Sequence, residues 1–543
     1  MPQSASTLKA DTWKTLLAKD PDKDYIMQGI ENGFDIVNNG LPDDPVEVQN
    51  YSSALNSKDL VEDQIKQEIS EGRYIIVHEK PKVISALGAI PKPDGRIRLI
   101  HDCSRPHGKA VNDYAKIKSH IKYQSVKDAV QLITPGCWLA KIDLQNAYRS
   151  VRTNPHHWQF AGLQWKFKGD SKSTFLIDTR LPFGARLSVE SFHRISKAIQ
   201  RILAKAGIKT VIYLDDILIV SDTKANGIYL IQNAIRILRS LGFAISYKKV
   251  EGPSQTLTFL GIQINTTQCT LSLPGDKMQQ CMVLLQSFTK QRRASLKQLQ
   301  RLIGKLAWAS HVVNGGRTFL QRVLDTARPI KEPTHKVKLT PQFYLDIQWW
   351  LTYMPIFNVR HFNKPPRPPN IITTDSSSLA GGATLNDQDW MYLDWIIDYP
   401  SMKDQHINFK EVMTACAAIY RWAPQLQNSS VTLYTDNIYT RATINKGACS
   451  DPLVMFHLRQ LFWLANIFNF ELKCVFIPGK DNIASDCISR LRSGGNFLYW
   501  FSLITGIAFD VHLMEMVLSS HMSHACICFF KTQIQRLVPW LRA

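Results

Sequence analysis

The stretch Val211-Ile212-Tyr213-Leu214-Asp215-Asp216-Ile217-Leu218-Ile219-Val220 sets two adjacent acids at the centre of an otherwise apolar run. Removing an ion from water without a partner is expensive, so two carboxylates cannot simply follow their neighbours into a core. The run is expected to fold as a tight β-hairpin whose apolar arms are buried and whose turn lifts Asp215 and Asp216 clear. A plain hairpin with exposed aspartates fits this segment too. A second apolar segment, Trp138-Leu139-Ala140-Lys141-Ile142-Asp143, also ends in an acid. If the two strands are neighbours, Asp143 and Asp215 meet across them, and such a cluster repels itself unless divalent cations bind. Magnesium favours a few carboxylates plus substrate phosphate oxygens, which is the composition of a two-metal phosphoryl-transfer site.

The surrounding pattern is mixed α and β. Leu60, Val61, Ile65 and Ile69 share one face of an expected amphipathic helix. Residues 89–92 and 96–100 read as two strands joined by a Pro93-Asp94-Gly95 turn. Alternation then puts Arg96 and Arg98 on one face while Ile97 and Leu99 enter the core. That basic face suits phosphate, and a solvated hairpin equally well. After Leu181-Pro182-Phe183-Gly184, the spacing of Phe192, Ile195, Ile199 and Leu203 predicts a helix, and Phe259-Leu260-Gly261-Ile262 reads as a strand. Within a helical region of about 275–330, the apolar stripe Leu296, Leu299, Ile303 and Leu306 is accompanied by Lys297, Arg301 and Lys305. Such a ridge can follow a phosphate backbone, although most are solvated faces. The proline-rich stretch 364–369 reads as a stiff linker, with a new domain beginning near residue 370.

At 543 residues the chain exceeds a single core, and its net charge of +20 attracts polyanions, nucleic acid foremost. The ten cysteines form no CxxC pair and so carry no zinc-knuckle spacing; they read as small core residues of a reducing compartment. The most apolar run, Phe497 to Phe509, is shorter than the ~20 residues a membrane span requires. A cytosolic or nuclear protein is expected, neither secreted nor membrane-spanning.

Beyond the linker, Ile371-Ile372-Thr373-Thr374-Asp375 and Val431-Thr432-Leu433-Tyr434-Thr435-Asp436 are apolar strands that close on acids. Phe409-Lys410-Glu411 opens a helix, and Asp486 falls on a short helix after the strand 472–477 and a Pro478-Gly479 turn. Any one of these could be an ordinary exposed carboxylate. All four in this order make a second site.

With these pieces in order, the chain resembles reverse transcriptases over residues 74–264, and the Tyr-x-Asp-Asp pattern at 213–216 is their signature. The resemblance implies Asp143, Asp215 and Asp216 as magnesium ligands and Tyr148 as the aromatic gate against a ribose 2′-hydroxyl. Lys92 and Arg98 would bind the triphosphate, and Phe183 and Gly184 would lie at the incoming nucleotide. Lys248 or Lys249 would protonate pyrophosphate, and Phe259-Leu260-Gly261 would be the primer grip. Phe183 stands where retroviral enzymes have glutamine and agrees with retrotransposon ones. Asp375, Glu411, Asp436 and Asp486 resemble the acids of ribonuclease H, again with two magnesium ions or manganese in their place. The histidine common in the loop before the last acid is missing from Ile477-Pro478-Gly479-Lys480-Asp481-Asn482.

Gly33-Phe34, residues 50–72, Ser104-Arg105-Pro106-His107-Gly108, Val111-Asn112-Asp113, Ile477-Pro478-Gly479 and Ser489-Arg490 narrow the resemblance to the polyprotein of DIRS-like retrotransposons. The implied architecture is a right-hand polymerase followed by a ribonuclease H-like domain, α/β and α+β. An N-terminal extension (1–73) would precede fingers and palm (74–264), a thumb-like region (265–330), a connection with the proline-rich linker (331–369), the ribonuclease H-like domain (370–492) and a tail (493–543). The implied partners are an RNA template, a DNA primer, the RNA-DNA hybrid and deoxynucleoside triphosphates, with a recombinase and capsid-type proteins supplied separately. A decayed copy that binds nucleic acid without catalysis is the alternative, and an RNA-dependent RNA polymerase a third.

Overall fold

A computed structural model of the chain describes residues 7–92, 95–118 and 121–493. The expected Pro93-Asp94 turn, the apolar run 497–509 and the tail beyond Ser493 lie outside the described residues. The chain divides into two units, one running to Cys269 and one from Thr270.

The first unit is built on an antiparallel sheet ordered Ala244–Ile245, Trp138–Gln145, Asp216–Ser221, Thr210–Tyr213. Residues of these strands that point to one face are covered by the helices Arg186–Lys205 and Lys224–Ser240. Phe192, Ile195, Ile199 and Leu203 are all buried on the first of these, as their spacing predicts. A second sheet is ordered Val46–Glu47, Val83–Ile84, Gly162–Trp165, Thr174–Asp178, Tyr74–Val77. Beside it stands the hairpin Ala86–Pro91 with Ile97–Asp102.

Residues 7–73 are part of this core. Trp13, Ile26 and Phe34 pack in one cluster with Tyr148, Phe192 and Ile217. The buried Trp13 indole donates to the Leu241 carbonyl at 2.9 Å, and Arg201 bridges Asp20 and Asp22. The helix Lys58–Ser70 buries Val61 and Ile65 with Ile69 partly covered. Leu60 is exposed, contrary to the expected face, because it lies about 140° around the helix from Ile65, off the contact stripe.

Phe259-Leu260-Gly261-Ile262 is not one strand. Thr256–Phe259 and Ile262–Asn265 pair antiparallel with Phe259 opposite Ile262, and Leu260-Gly261 forms the turn with φ of 48° and 77°. Two positive φ values are what a two-residue hairpin loop demands, and Gly261 supplies one without strain.

The second unit begins with the helices Gly275–Thr289, Leu296–Ala309, Gln321–Ala327 and Pro341–Phe357. In Leu296–Ala309 the buried stripe is Leu296, Leu299, Leu302, Leu306 and Ala309, with Ile303 at its margin. Lys297 and Arg301 are exposed, and Lys305 reaches Gln280 at 3.2 Å. A five-stranded sheet follows, ordered Asp389–Asp394, Ala380–Leu385, Pro369–Ser376, Ser430–Thr435, Glu471–Phe476. Its first three strands are antiparallel and its last three parallel. A strand begins at Pro369, close to the domain start expected near 370, but the chain from Thr270 onward forms one unit. The helices before that strand pack directly on those after it: Phe319 stacks on Trp349 at 4.1 Å, and both meet Phe462 of the helix Pro452–Ile467. Beneath them Asp346 is fully buried, with Arg322 at 3.4 Å and Arg459 at 3.8 Å.

Candidate functional site

Two groups of acids converge, one in each unit. In the first, Tyr213 pairs with Asp216 across the hairpin, leaving Leu214 and Asp215 as the turn. Leu214 adopts φ 55°, a left-handed conformation that an ordinary side chain enters only under tertiary constraint. Ser196 of the long helix supplies one constraint by donating to the Leu214 carbonyl at 2.9 Å. Asp216, not Asp215, stands directly opposite Asp143 on the neighbouring strand. Asp215 stands at the tip of the two-residue turn, where its carbonyl accepts from the Leu144 amide at 3.2 Å, and it still feels the Asp143 charge as expected. Burial, then repulsion from Asp215 and Asp143, pushes Asp216 up to about 6. Burial and the Asp143 charge also raise Asp215.

Lys249 places its ammonium on both Asp143 oxygens, at 2.9 and 3.1 Å. Of the two lysines the sequence offered, it is the one that reaches the acids; Lys248 points to solvent from the same short turn. A lysine ammonium therefore already sits where self-repelling carboxylates meet.

Beside the acids the aromatic residues form one stack. Tyr148 is buried against Phe192 at 4.8 Å and against Phe183 at 5.2 Å between ring centres. Burial first, then the nearby Tyr123 and Asp215, raises its hydroxyl pKa. Arg98 lies 5.8 Å over the Phe183 ring, and its charge opposes the rise at Asp215. Lys92 sits at the end of the hairpin that carries Arg98, its amide donating to the Arg96 carbonyl at 2.7 Å. Gly184 has φ 135°, and a Cβ there would fall 2.0 Å from the His101 carbonyl oxygen. Only glycine lets the loop and the strand approach so closely. Asn112, which the sequence offered only inside a family phrase, fastens this loop: its amide donates to the Gly184 carbonyl at 2.9 Å and its carbonyl oxygen accepts from the Arg186 amide at 2.7 Å.

In the second unit, the parallel register pairs Thr374 with Thr435, so Asp375 and Asp436 follow side by side. Glu411 enters from the helix Ile407–Trp422, and oxygens of Asp375, Glu411 and Asp436 lie within 4.8 Å of one another. One Glu411 oxygen accepts from the Ser376 amide at 3.2 Å, while the other is buried with no hydrogen-bond partner. An orphaned carboxylate oxygen among acids fits a divalent cation. Burial, then Asp375 and Asp436, pushes Glu411 up to about 9, and burial lifts Asp375 to about 6. Asp486 sits on the helix Ile483–Ser489, near enough to raise Asp375 and Asp436, and is held by Arg490 at 2.6 Å. Ser489 donates to Asp375 at 2.5 Å, and the Asn482 amide donates to the Thr374 carbonyl at 2.9 Å; the sequence offered Ser489 only inside a family phrase and Asn482 only as part of the loop before Asp486. The histidine-free loop lies against the site, with a Cβ at Gly479 falling 3.0 Å from the nearer Asp436 oxygen.

Residues 90–264 match the family model described as reverse transcriptase (RNA-dependent DNA polymerase), so this stretch is a reverse transcriptase domain. The Transposon Tf2-3 polyprotein of Schizosaccharomyces pombe is 25% identical over 472 residues, covering 82% of this chain, and the Tf2-7 polyprotein is 24% identical over 471. The chain spans about a third, 31%, of the length of these relatives. Among solved structures, the foamy viral protease-reverse transcriptase in complex with RNA/DNA hybrid has a TM-score of 0.52 at 16% identity, covering 86% of this chain and 62% of that chain. The same protein in complex with dsDNA has a TM-score of 0.50 at 17% identity, covering 86% and 96%. The fold is that of reverse transcriptases, mixed α/β and multidomain. Among the described residues, no helix is long and apolar enough to cross a membrane.

Proposed function

We propose that the chain is an RNA-directed DNA polymerase with ribonuclease H activity, the copying enzyme of a DIRS-like retroelement. The observation that carries this reading is the pairing of two acid clusters in one chain: Asp143, Asp215 and Asp216 beside a buried aromatic stack, and Asp375, Glu411, Asp436 and Asp486 around an orphaned carboxylate oxygen. Two magnesium ions at each cluster, with manganese as a substitute, would activate the attacking oxygen and stabilise the leaving one.

The protein's own groups orient and discriminate. Lys92 and Arg98 on the hairpin hold the triphosphate, Tyr148 excludes a ribose 2′-hydroxyl, and Phe183 and Gly184 form the floor for the incoming deoxynucleotide. Lys249 is placed to give a proton to the departing pyrophosphate. Leu260-Gly261 presents a hairpin turn suited to gripping the primer. In the second cluster, the acids hold and cleave the RNA strand of the hybrid, with Gly479 and Lys480 in the loop where a histidine is common. The RNA template, DNA primer and RNA-DNA hybrid are the partners, and the +20 charge supports binding to them. A recombinase and capsid-type proteins would come from the same element.

Primer extension on an RNA template, with both strands analysed, tests the reading. Asp215→Asn should abolish DNA synthesis and spare hybrid cleavage, and Asp436→Asn should do the reverse. Loss of both activities in either folded variant would refute two independent sites, and a wild-type chain that binds hybrid but makes no DNA would favour a decayed copy.

A further inference from the structure

Tyr148 and Arg149 are consecutive residues of one tight turn, Ala147–Ser150, entered through Asn146 at φ 52°. Their side chains meet different surroundings. Tyr148 enters the aromatic stack, whereas Arg149 enters a buried network of charges that the chemistry described above does not use.

Arg149 is 8% exposed. One of its terminal nitrogens reaches both Asp178 oxygens at 2.8 Å, and its other terminal nitrogen and Nε reach Glu68 Oε2 at 2.8 and 3.1 Å. Arg73 binds Glu68 in turn at 2.7 and 3.0 Å. His101 Nδ1 stands 3.8 Å from Asp178. The His101 amide donates to the Phe183 carbonyl at 3.1 Å, and its carbonyl is the group that excludes a side chain at Gly184. The charge network thus runs from the helix Lys58–Ser70 through Arg149 to Asp178, and His101, near Asp178, joins the loop carrying Phe183 through its backbone.

A guanidinium forked between two carboxylates has its plane fixed, which a single ammonium would not achieve. Because Arg149 shares a four-residue turn with Tyr148, fixing its side chain fixes the direction in which Tyr148 leaves the backbone. A ring that rejects one hydroxyl group by steric exclusion must be held to within a fraction of an ångström. Burying four ions is a poor way to gain stability, since apolar residues of similar volume do as well or better, which leaves the fixing of one geometry as the use this fold makes of them.

We propose that Glu68 and Asp178, acting through Arg149, are positioning residues for the sugar gate, so that residues 58–73, upstream of the segment matched by the reverse transcriptase family, take part in selecting deoxynucleotides. This inference rests on the reading of Tyr148 as the gate.

The test measures incorporation of deoxy- and ribonucleotides by the full chain, with thermal unfolding of the first unit as the check that each variant folds. Tyr148→Val should lower the deoxy-to-ribo preference. Glu68→Gln should lower it by about tenfold, the scale of a sub-ångström misplacement, while cleavage is kept. In the Tyr148→Val background Glu68→Gln should lower it no further. Arg149→Lys, which keeps the charge but loses the fork, should reproduce the effect and serves if Glu68→Gln does not fold. An unchanged preference in a folded Glu68 or Arg149 variant, or equal loss of both nucleotides, overturns the inference while leaving the polymerase reading intact. A wild-type chain that extends no primer, or an unchanged preference in Tyr148→Val, overturns the gate reading and this inference with it.

Discussion

Replacing Glu411 by glutamine tests whether the second cluster is built to wait for cations. Folded Glu411 takes up its proton near 9, against an ordinary value of 4.5, because it is buried and faces Asp375 and Asp436. Between those limits the folded protein binds a proton that the unfolded chain has released. Stability must therefore fall as pH rises, by at most about 1.4 kcal/mol per pH unit. Asp375, lifted to about 6, adds to the slope only at its acidic end. From about pH 5.5 to about pH 8.5 the metal-free wild type should lose up to about 4 kcal/mol, on the order of 10 °C in the melting transition of this unit. The substituted amide would carry no charge at either pH, so Glu411→Gln should melt much as the wild type does in acid and well above it in base. Magnesium at about a hundredfold excess over its Kd would restore about 2.7 kcal/mol to the wild type in base and far less to the variant. The assay is thermal unfolding at both pH values with chelator or magnesium, and the variant should have lost hybrid cleavage throughout. If the metal-free wild type melts at one temperature across this range, or Glu411→Gln keeps the same slope, the cluster is not held together against its own charge.

Two further outcomes follow from the first cluster. Gly184→Ala would press a methyl group onto the His101 carbonyl from a φ of 135°; it should cost roughly 3 kcal/mol of stability and suppress nucleotide addition in steady-state kinetics while hybrid cleavage persists in the molecules that fold. Lys249→Met, which strips Asp143 of its ammonium, should slow single-nucleotide addition about 100-fold under conditions where chemistry limits the rate, and Lys248→Met should change it far less.

What the sequence makes legible is whatever an isolated segment must solve for itself. An apolar run broken by two acids has to become a hairpin, and strands that end in Asp375 and Asp436 have to bring those acids to one edge when they pair in parallel. Register is harder to read: whether Asp215 or Asp216 faces Asp143 turns on a two-residue loop with Leu214 at φ 55°, a conformation nothing in Tyr-Leu-Asp-Asp announces and which Ser196, eighteen residues away, helps to hold. A hairpin at Leu260-Gly261 looks like one strand for the same reason. Least legible is the charge network. Glu68 and Arg149 lie 81 residues apart, and Arg149 and Asp178 lie 29 apart. Each is of a residue type that usually belongs to the surface, and only the folded chain withdraws them from water together. Burial of four ions is unfavourable unless each finds its partner, and the role proposed for them is to hold the turn that carries Tyr148. Five of the seven acids proposed to carry the chemistry are legible because they lie in or at the ends of apolar strands, whereas Glu411 and Asp486 sit on helices. The positions that aim the chemistry are not legible, because their role exists only as geometry between distant segments.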